Sequence, residues 1–395
     1  MNMALFLFMS TFLVARLMGE TGDDLLAVGL FKGVWWIGIG VAFAVTSYII
    51  KRSSRVWAVR IAAFLKVATI ILVIFLQEYI ADIYLLFAVI YGVAEGVYWG
   101  SILTLTAQSF AGKRMAGFVV WEQVARGGAS ILMPFTLGAI IDFASFEIAA
   151  IISFVLGIIL VAFTMIIKEE KTRACKPLSM RQYLRTMKQT GKSRAVWYHF
   201  WLQTLHDSYR RLVVLFTVLI VVALGSNLSL GVFGSVFAAA TILAVMLYKF
   251  VGPKTRAGAI MYWLSAAAPL ALGFWILFEV NTLTIILIHL GYVGLGSVMR
   301  LEVDKLRFNI MSYLKDESWH TESLLLTEYA FLIPRVIVPV IIILAHFFDL
   351  FLVVQILAVV LTALVILVAW MTKQWHKKFC AVEPHVNEDV ALPKQ

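Results

Sequence analysis

Acids and bases stand in this sequence where long apolar runs enclose them. The bases are Arg16, Lys32, Lys66, Arg126, Arg210, Arg211 and Arg335; the acids are Glu95, Glu122, Asp207, Glu302 and Glu328, with Asp304 nearer a polar end. Moving one such charge into hydrocarbon costs about 2.5–3.5 kcal/mol on insertion scales, so each needs a partner or a task. The chemistry open to them is narrow. A buried carboxyl or imidazole can carry a proton, a buried base can hold an anion, and an ion pair can make burial tolerable.

Glu95 opens 95-EGVYW-99 in the middle of an apolar run, beside Gly92, Gly96, Tyr98 and Trp99. Small neighbours let helices approach closely. Glu95 is therefore either a proton-coupling carboxyl or one half of an interhelical ion pair. In 121-WEQVARGGASILMP-134, Glu122 and Arg126 share a helix face and read as a structural charge pair near the cytoplasmic end of their span. An echo, 327-TEYAFLIPRVIVP-339, moves Arg335 seven residues beyond Glu328, next to Pro334. A mid-depth arginine beside a helix-kinking proline reads as a contact for an anion or a carboxylate.

The run 206-HDSYRR-211 is the most polar of all. Either its helix is broken there, or Asp207 pairs with Arg211 four residues on. Asp207 and His206 are proton-coupling candidates, His206 equally a plain packing residue; Arg210 and Arg211 are candidate substrate contacts. In 300-RLEVDKLR-307, Arg300 (substrate) and Glu302 (proton) either line a cavity or mark a polar rim. Tyr98 and Trp99 either line an aromatic pocket or pack between helices.

The elements that hold these residues follow from composition. The chain is 62% hydrophobic and 14% charged, with a mean hydropathy of +0.92. Soluble domains carry about 25% charged residues. Apolar runs of the ~20 residues that span a bilayer recur throughout. Hydropathy and breakers give twelve spans: 1–18, 25–50, 56–76, 83–109, 116–141, 147–168, 195–224, 228–249, 257–278, 282–308, 323–345 and 350–372. The fold class expected is an all-α polytopic membrane protein.

Taken alternately, one set of loops (19–24, 77–82, 142–147, 224–227, 278–281, 346–349) contains no Lys or Arg, and the other holds most of the bases. The positive-inside rule then makes both termini cytoplasmic. The net charge of +10 is thus read as topology and attraction to anionic lipid, not as a sign of nucleic acid. The first run lacks a charged lead-in and a cleavage site, so it reads as a retained span, with room for a start codon upstream. Residues 169–194 form a basic linker in which 179–188 is either a surface amphipathic helix, with Leu178, Met180, Tyr183, Leu184 and Met187 as its apolar contacts, or a solvated strand of charge. Residues 373–395 are a polar tail. Cys175 and Cys380 allow neither a disulfide framework nor a metal set.

The linker divides six spans (1–168) from six (195–372), and 29-GLFKGVWW lays on 231-GVFGSVFA as the two charged echoes lay on each other. Six plus six helices with basic turns after spans 2 and 8 resemble the major facilitator superfamily over about residues 1–372. Its loop motif survives in 47-SYIIKRSSRVWAVR-60 only as bases, without the Asp and glycines; 127-GGASILMPFTLG-138 is a loose form of the antiporters' span-5 motif, with Met133 for a Gly. The likeness is nearest to uncharacterised bacterial members with a Glu-Gly-x-Tyr-Trp-like span 4 and a Glu/Arg-bearing span 11. It implies two pseudo-symmetric bundles, no cofactor, and proton-coupled transport of a small solute by a monomer in the bacterial plasma membrane. The surplus of interior bases points to an anionic or amphipathic solute, and the span-5 motif to export. A lipid flippase and a transporter-like sensor or assembly factor remain as alternatives. An enzyme would need a nucleophile or metal set that the sequence does not offer.

Overall fold

The computed structural model describes residues 2–21, 24–50, 54–109, 112–168, 179–224, 227–252, 255–275, 282–314, 319–348 and 350–380. Among them the chain is helical almost throughout and contains no strand. In order the helices are α1 (Asn2–Leu7), α2 (Leu13–Thr21), α3 (Asp24–Ile50), α4 (Arg55–Phe75), α5 (Ile80–Ser109), α6 (Gly112–Phe143), α7 (Phe146–Ile166) and α8 (Met180–Gln189). They continue as α9 (Ser193–Leu224), α10 (Asn227–Val251), α11 (Arg256–Trp275), α12 (Thr282–Leu290), α13 (Ser297–Leu314), α14 (His320–Phe347) and α15 (Leu350–Trp375). A π-helical turn, Phe8–Phe12, joins α1 to α2, and another, Gly291–Leu295, interrupts the run from α12 to α13.

Among the described residues, six helical stretches are long and apolar enough to cross a membrane: Leu26–Ile50, Val56–Phe75, Gln77–Thr106, Phe146–Ile166, Asn227–Val251 and His320–Leu344. Their outward faces leave Trp57, Phe64, Val155, Phe163, Leu243 and Val340 exposed. So dense an apolar surface suits lipid, and intrahelical bonds satisfy the backbone there. The protein is membrane-embedded.

Polar residues finish these helices. Ser54, Ser145 and Ser179 accept from the amides of Trp57, Ile148 and Gln182 at 3.3, 3.1 and 3.3 Å, capping α4, α7 and α8. Arg60 donates to the carbonyls of Thr164, Met165 and Ile167, the open end of α7. Asp142 accepts from the Leu228 amide at 2.8 Å, where α10 begins. The principal helix contacts pair α3 with α5 and α14, α6 with α10, α4 with α5 and α7, and α9 with α14.

The linker does form its helix, α8, but the apolar face turns to protein. Tyr183 and Met187 are buried with Val196, Trp319 and Leu326, and Met180 and Leu184 pack on the same cluster. Trp319 lies 5.8 Å from the Tyr183 ring, which supplies the partner that the bilayer surface was expected to be. Burial pushes the Tyr183 hydroxyl up to about 12, with Ser323 lowering it and Glu322 raising it. Helix also continues beyond 372, since α15 ends at Trp375 and a π turn reaches Cys380. Leu178, Cys175, most of the linker and the tail after 380 lie outside the described residues.

Candidate functional site

Helix bounds give the charged residues a common level. Lys66, Glu95, Arg126, Asp207, Arg211 and Arg335 each stand within one turn of the midpoint of their own helix, α4, α5, α6, α9, α9 and α14 respectively. Arg126 is thus deeper in its helix than the distance from the preceding bases suggests, because α6 extends from Gly112 to Phe143.

One cluster joins α3, α9, α13 and α14. α9 is unbroken through 206-HDSYRR-211, and within it Asp207 pairs with Arg211, Oδ2 to Nε 3.0 Å. Arg335 pairs with Glu328 two turns back on α14, both side chains buried, and the guanidinium lies 5.7 Å from the Phe331 ring. Arg335 is close enough to Asp207 and Arg211 to interact with both charges. Across the contact with α3, the Arg211 guanidinium sits 4.6 Å over Trp36. Lys32, one turn earlier and within the field of Arg211, is buried, donates to the Ser10 carbonyl at 2.8 Å and lies over the Trp35 ring. Gly40 makes room for this crossing: a Cβ there would come 2.2 Å from Leu332 Cδ2 and 3.4 Å from Arg335 Nη1.

The cluster continues toward α13. His206 is buried, stacked on Tyr209, and surrounded by Asp304, Arg210, Arg300 and Asp207; its Nε2 has no hydrogen-bond partner among the described residues. Tyr209 donates to the carbonyl of Tyr292 at 2.7 Å, inside the π turn, where backbone groups are displaced from ordinary helical bonding. Arg300 faces Tyr209, Arg210 and Asp304. Five bases (Lys32, Arg210, Arg211, Arg300, Arg335) thus meet three acids (Asp207, Asp304, Glu328) in one network. Glu302 is elsewhere, paired with Lys305 at 2.7 Å and beside Tyr248.

A second cluster lies among α1, α4, α5 and α6. Glu95 Oε1 takes the Lys66 ammonium at 2.7 Å and the Tyr91 hydroxyl at 3.0 Å, all three side chains buried. Lys66 also donates to Asn2 Oδ1 and lies 4.1 Å over the Tyr98 ring. Glu95 Oε2 is buried without a hydrogen-bond partner among the described residues. Gly96 fits the proximity argument, since its Cβ would come 2.4 Å from the Ile39 carbonyl of α3. Trp99 meets Tyr98 edge-on at 5.8 Å and carries the Arg126 guanidinium at 5.1 Å; Arg126 pairs with Glu122, both about one-third exposed.

The sequence did not assign Lys66 to Glu95, nor Lys32 and Trp36 to the α9 and α14 charges. Nor did it name Tyr91, one turn before Glu95; the pairs that spacing announced are Asp207 with Arg211 and Glu122 with Arg126. No metal-holding group of His, Cys, Asp and Glu occurs among the described residues. No protein-family model matches the chain, and no curated protein does.

Proposed function

We propose that the chain is a secondary active transporter of the major-facilitator kind, with twelve spans in two six-helix bundles (1–168 and 195–372), which moves a small anionic or amphipathic organic solute with protons. The observation that carries this reading is the buried network of five bases and three acids at α3, α9, α13 and α14. Charge in hydrocarbon is costly and unlike charge is in short supply there, so the surplus cation suits an anionic guest. The layout is supported by packing. Exchange of the halves turns α3 into α10 and α6 into α14, and so turns the α3–α14 contact into the α6–α10 contact, both of which occur.

Asp207 and an anionic solute then compete for Arg211 and Arg335. Once the solute holds the guanidinium groups, Asp207 loses its counter-charge in a dry site and takes up a proton, so solute and proton move together. Release reverses both steps, and Asp207 pairs again. Glu95, held by Lys66 and Tyr91, is the alternative carrier. The basic loops put both termini on the cytoplasmic side of a bacterial plasma membrane, and the two bundles make a monomer sufficient.

The test uses proteoliposomes and labelled organic anions chosen because they raise the protein's thermal stability. An imposed pH gradient is expected to drive accumulation by the native protein and only exchange by Asp207→Asn. Accumulation that ignores the gradient removes the proton coupling. Failure to move any solute that binds removes the transport reading.

A further inference from the structure

We propose that the groove between α11 and α15 holds the headgroup and upper acyl chains of an anionic phospholipid. It is a shallow cleft of about 380 Å³, open to the side, with Arg256 and Lys373 among its walls and Ile260, Trp263 and Leu264 along its floor. Arg256 is the first residue of α11 and Lys373 lies in the last turn of α15, so both bases belong to the same end of the helix pair. Neither has a carboxylate ion pair among the described residues. The Lys373 ammonium rests 4.9 Å from the Trp263 ring and 5.7 Å from that of Tyr262.

The combination selects the ligand. Inorganic phosphate would neutralise the bases but leave the exposed apolar faces of Ile260, Trp263 and Leu264 uncovered by the ligand. A zwitterionic lipid would cover that floor but leave the surplus cation. An anionic lipid satisfies both, with its phosphate between Arg256 and Lys373 and its chains on the floor. The groove is distinct from the charged network, to which neither α11 nor α15 contributes a side chain. The inference needs only a membrane-embedded chain and stands apart from the transport reading.

Delipidated protein in neutral detergent is titrated with phosphatidylglycerol, phosphatidylcholine or inorganic phosphate, and thermal unfolding is followed. Phosphatidylglycerol is expected to stabilise at about tenfold lower concentration than phosphatidylcholine, and phosphate to do nothing. Arg256→Gln with Lys373→Gln should abolish the preference, and Arg256→Lys with Lys373→Arg should keep it. Equal action of the two lipids, a shift reproduced by phosphate, or a preference surviving the double Gln variant overturns the site. Should that variant not fold, brominated lipids decide: the Trp263 fluorescence, taken as the difference from Trp263→Phe, is quenched more by brominated phosphatidylglycerol, whereas equal quenching overturns the proposal.

Discussion

The pairs α3–α14 and α6–α10 are built alike and used differently. In each, a glycine faces a proline: an added Cβ would lie 3.0 Å from Pro339 at Gly33 and 3.1 Å from Pro134 at Gly234. Each proline-bearing helix has a Glu–Arg pair with its arginine beside the midpoint. There the likeness stops. Side-chain exposure is 5% and 4% for Arg335 and Glu328, but 38% and 33% for Arg126 and Glu122. The neighbours account for this. α9 brings Asp207 and Arg211 to Arg335, and α3 brings Lys32 and Trp36 to Arg211, whereas α10 has no base until Lys249 in its last turn. On the α6 side the backbones themselves touch, since a Cβ at Gly231 would come 2.3 Å from the Pro134 carbonyl. One contact is a close, uncharged backbone crossing, and the other gathers charge. A repeated motif sets how helices pack; the helix opposite decides what the motif does.

The largest effect should come from breaking the buried pair. Arg335→Ala strands Glu328 and is expected to cost about 3–5 kcal/mol in detergent unfolding, most of it recovered when Glu328→Gln is added. A double variant no more stable than the single one would show that packing, not charge, fails there. Next is the close α6–α10 crossing: Gly231→Ala should cost about 1–3 kcal/mol, more than Gly33→Ala, whose new methyl meets a proline ring and not a carbonyl. The reverse order would exchange the roles of the two contacts. Arg126→Ala should shift stability by only about 0–1 kcal/mol, because its pair is one-third exposed.

The smallest effect is local to α8, which clasps the start of α14. Tyr183 stays protonated to about pH 12 when docked, against an ordinary value of 10. Docking is therefore fully supported below pH 10 and weakens as pH rises from 10 to 12. The protection of the α8 amides, meaning their exchange rate relative to the base-catalysed rate of an open amide at the same pH, should fall across that window in the native protein but not in Tyr183→Phe.

Helices were legible because length and apolarity specify them locally. Each of the twelve stretches expected as spans is helical over most of its described residues, and the amphipathic segment is α8. Partners were not legible. Glu95 and Lys66 are 29 residues apart on antiparallel neighbours, and their meeting depends on how α4 and α5 rotate against each other, which no local spacing encodes. Asp207 with Arg211 was open to view because four residues make one turn. The aim of α8 was misread for a related reason: an amphipathic face says that something apolar covers it, and Trp319, far along the chain, is that cover.

The measurement closest to the central claim is uptake of a labelled organic anion by Arg211→Gln, Arg335→Gln and Arg126→Gln side by side, each confirmed as folded. If the α9–α14 network seats the anion, the first two lose about tenfold or more in apparent affinity and the third stays near native. Loss confined to Arg126→Gln would move the binding site to the α6 side and contradict the account.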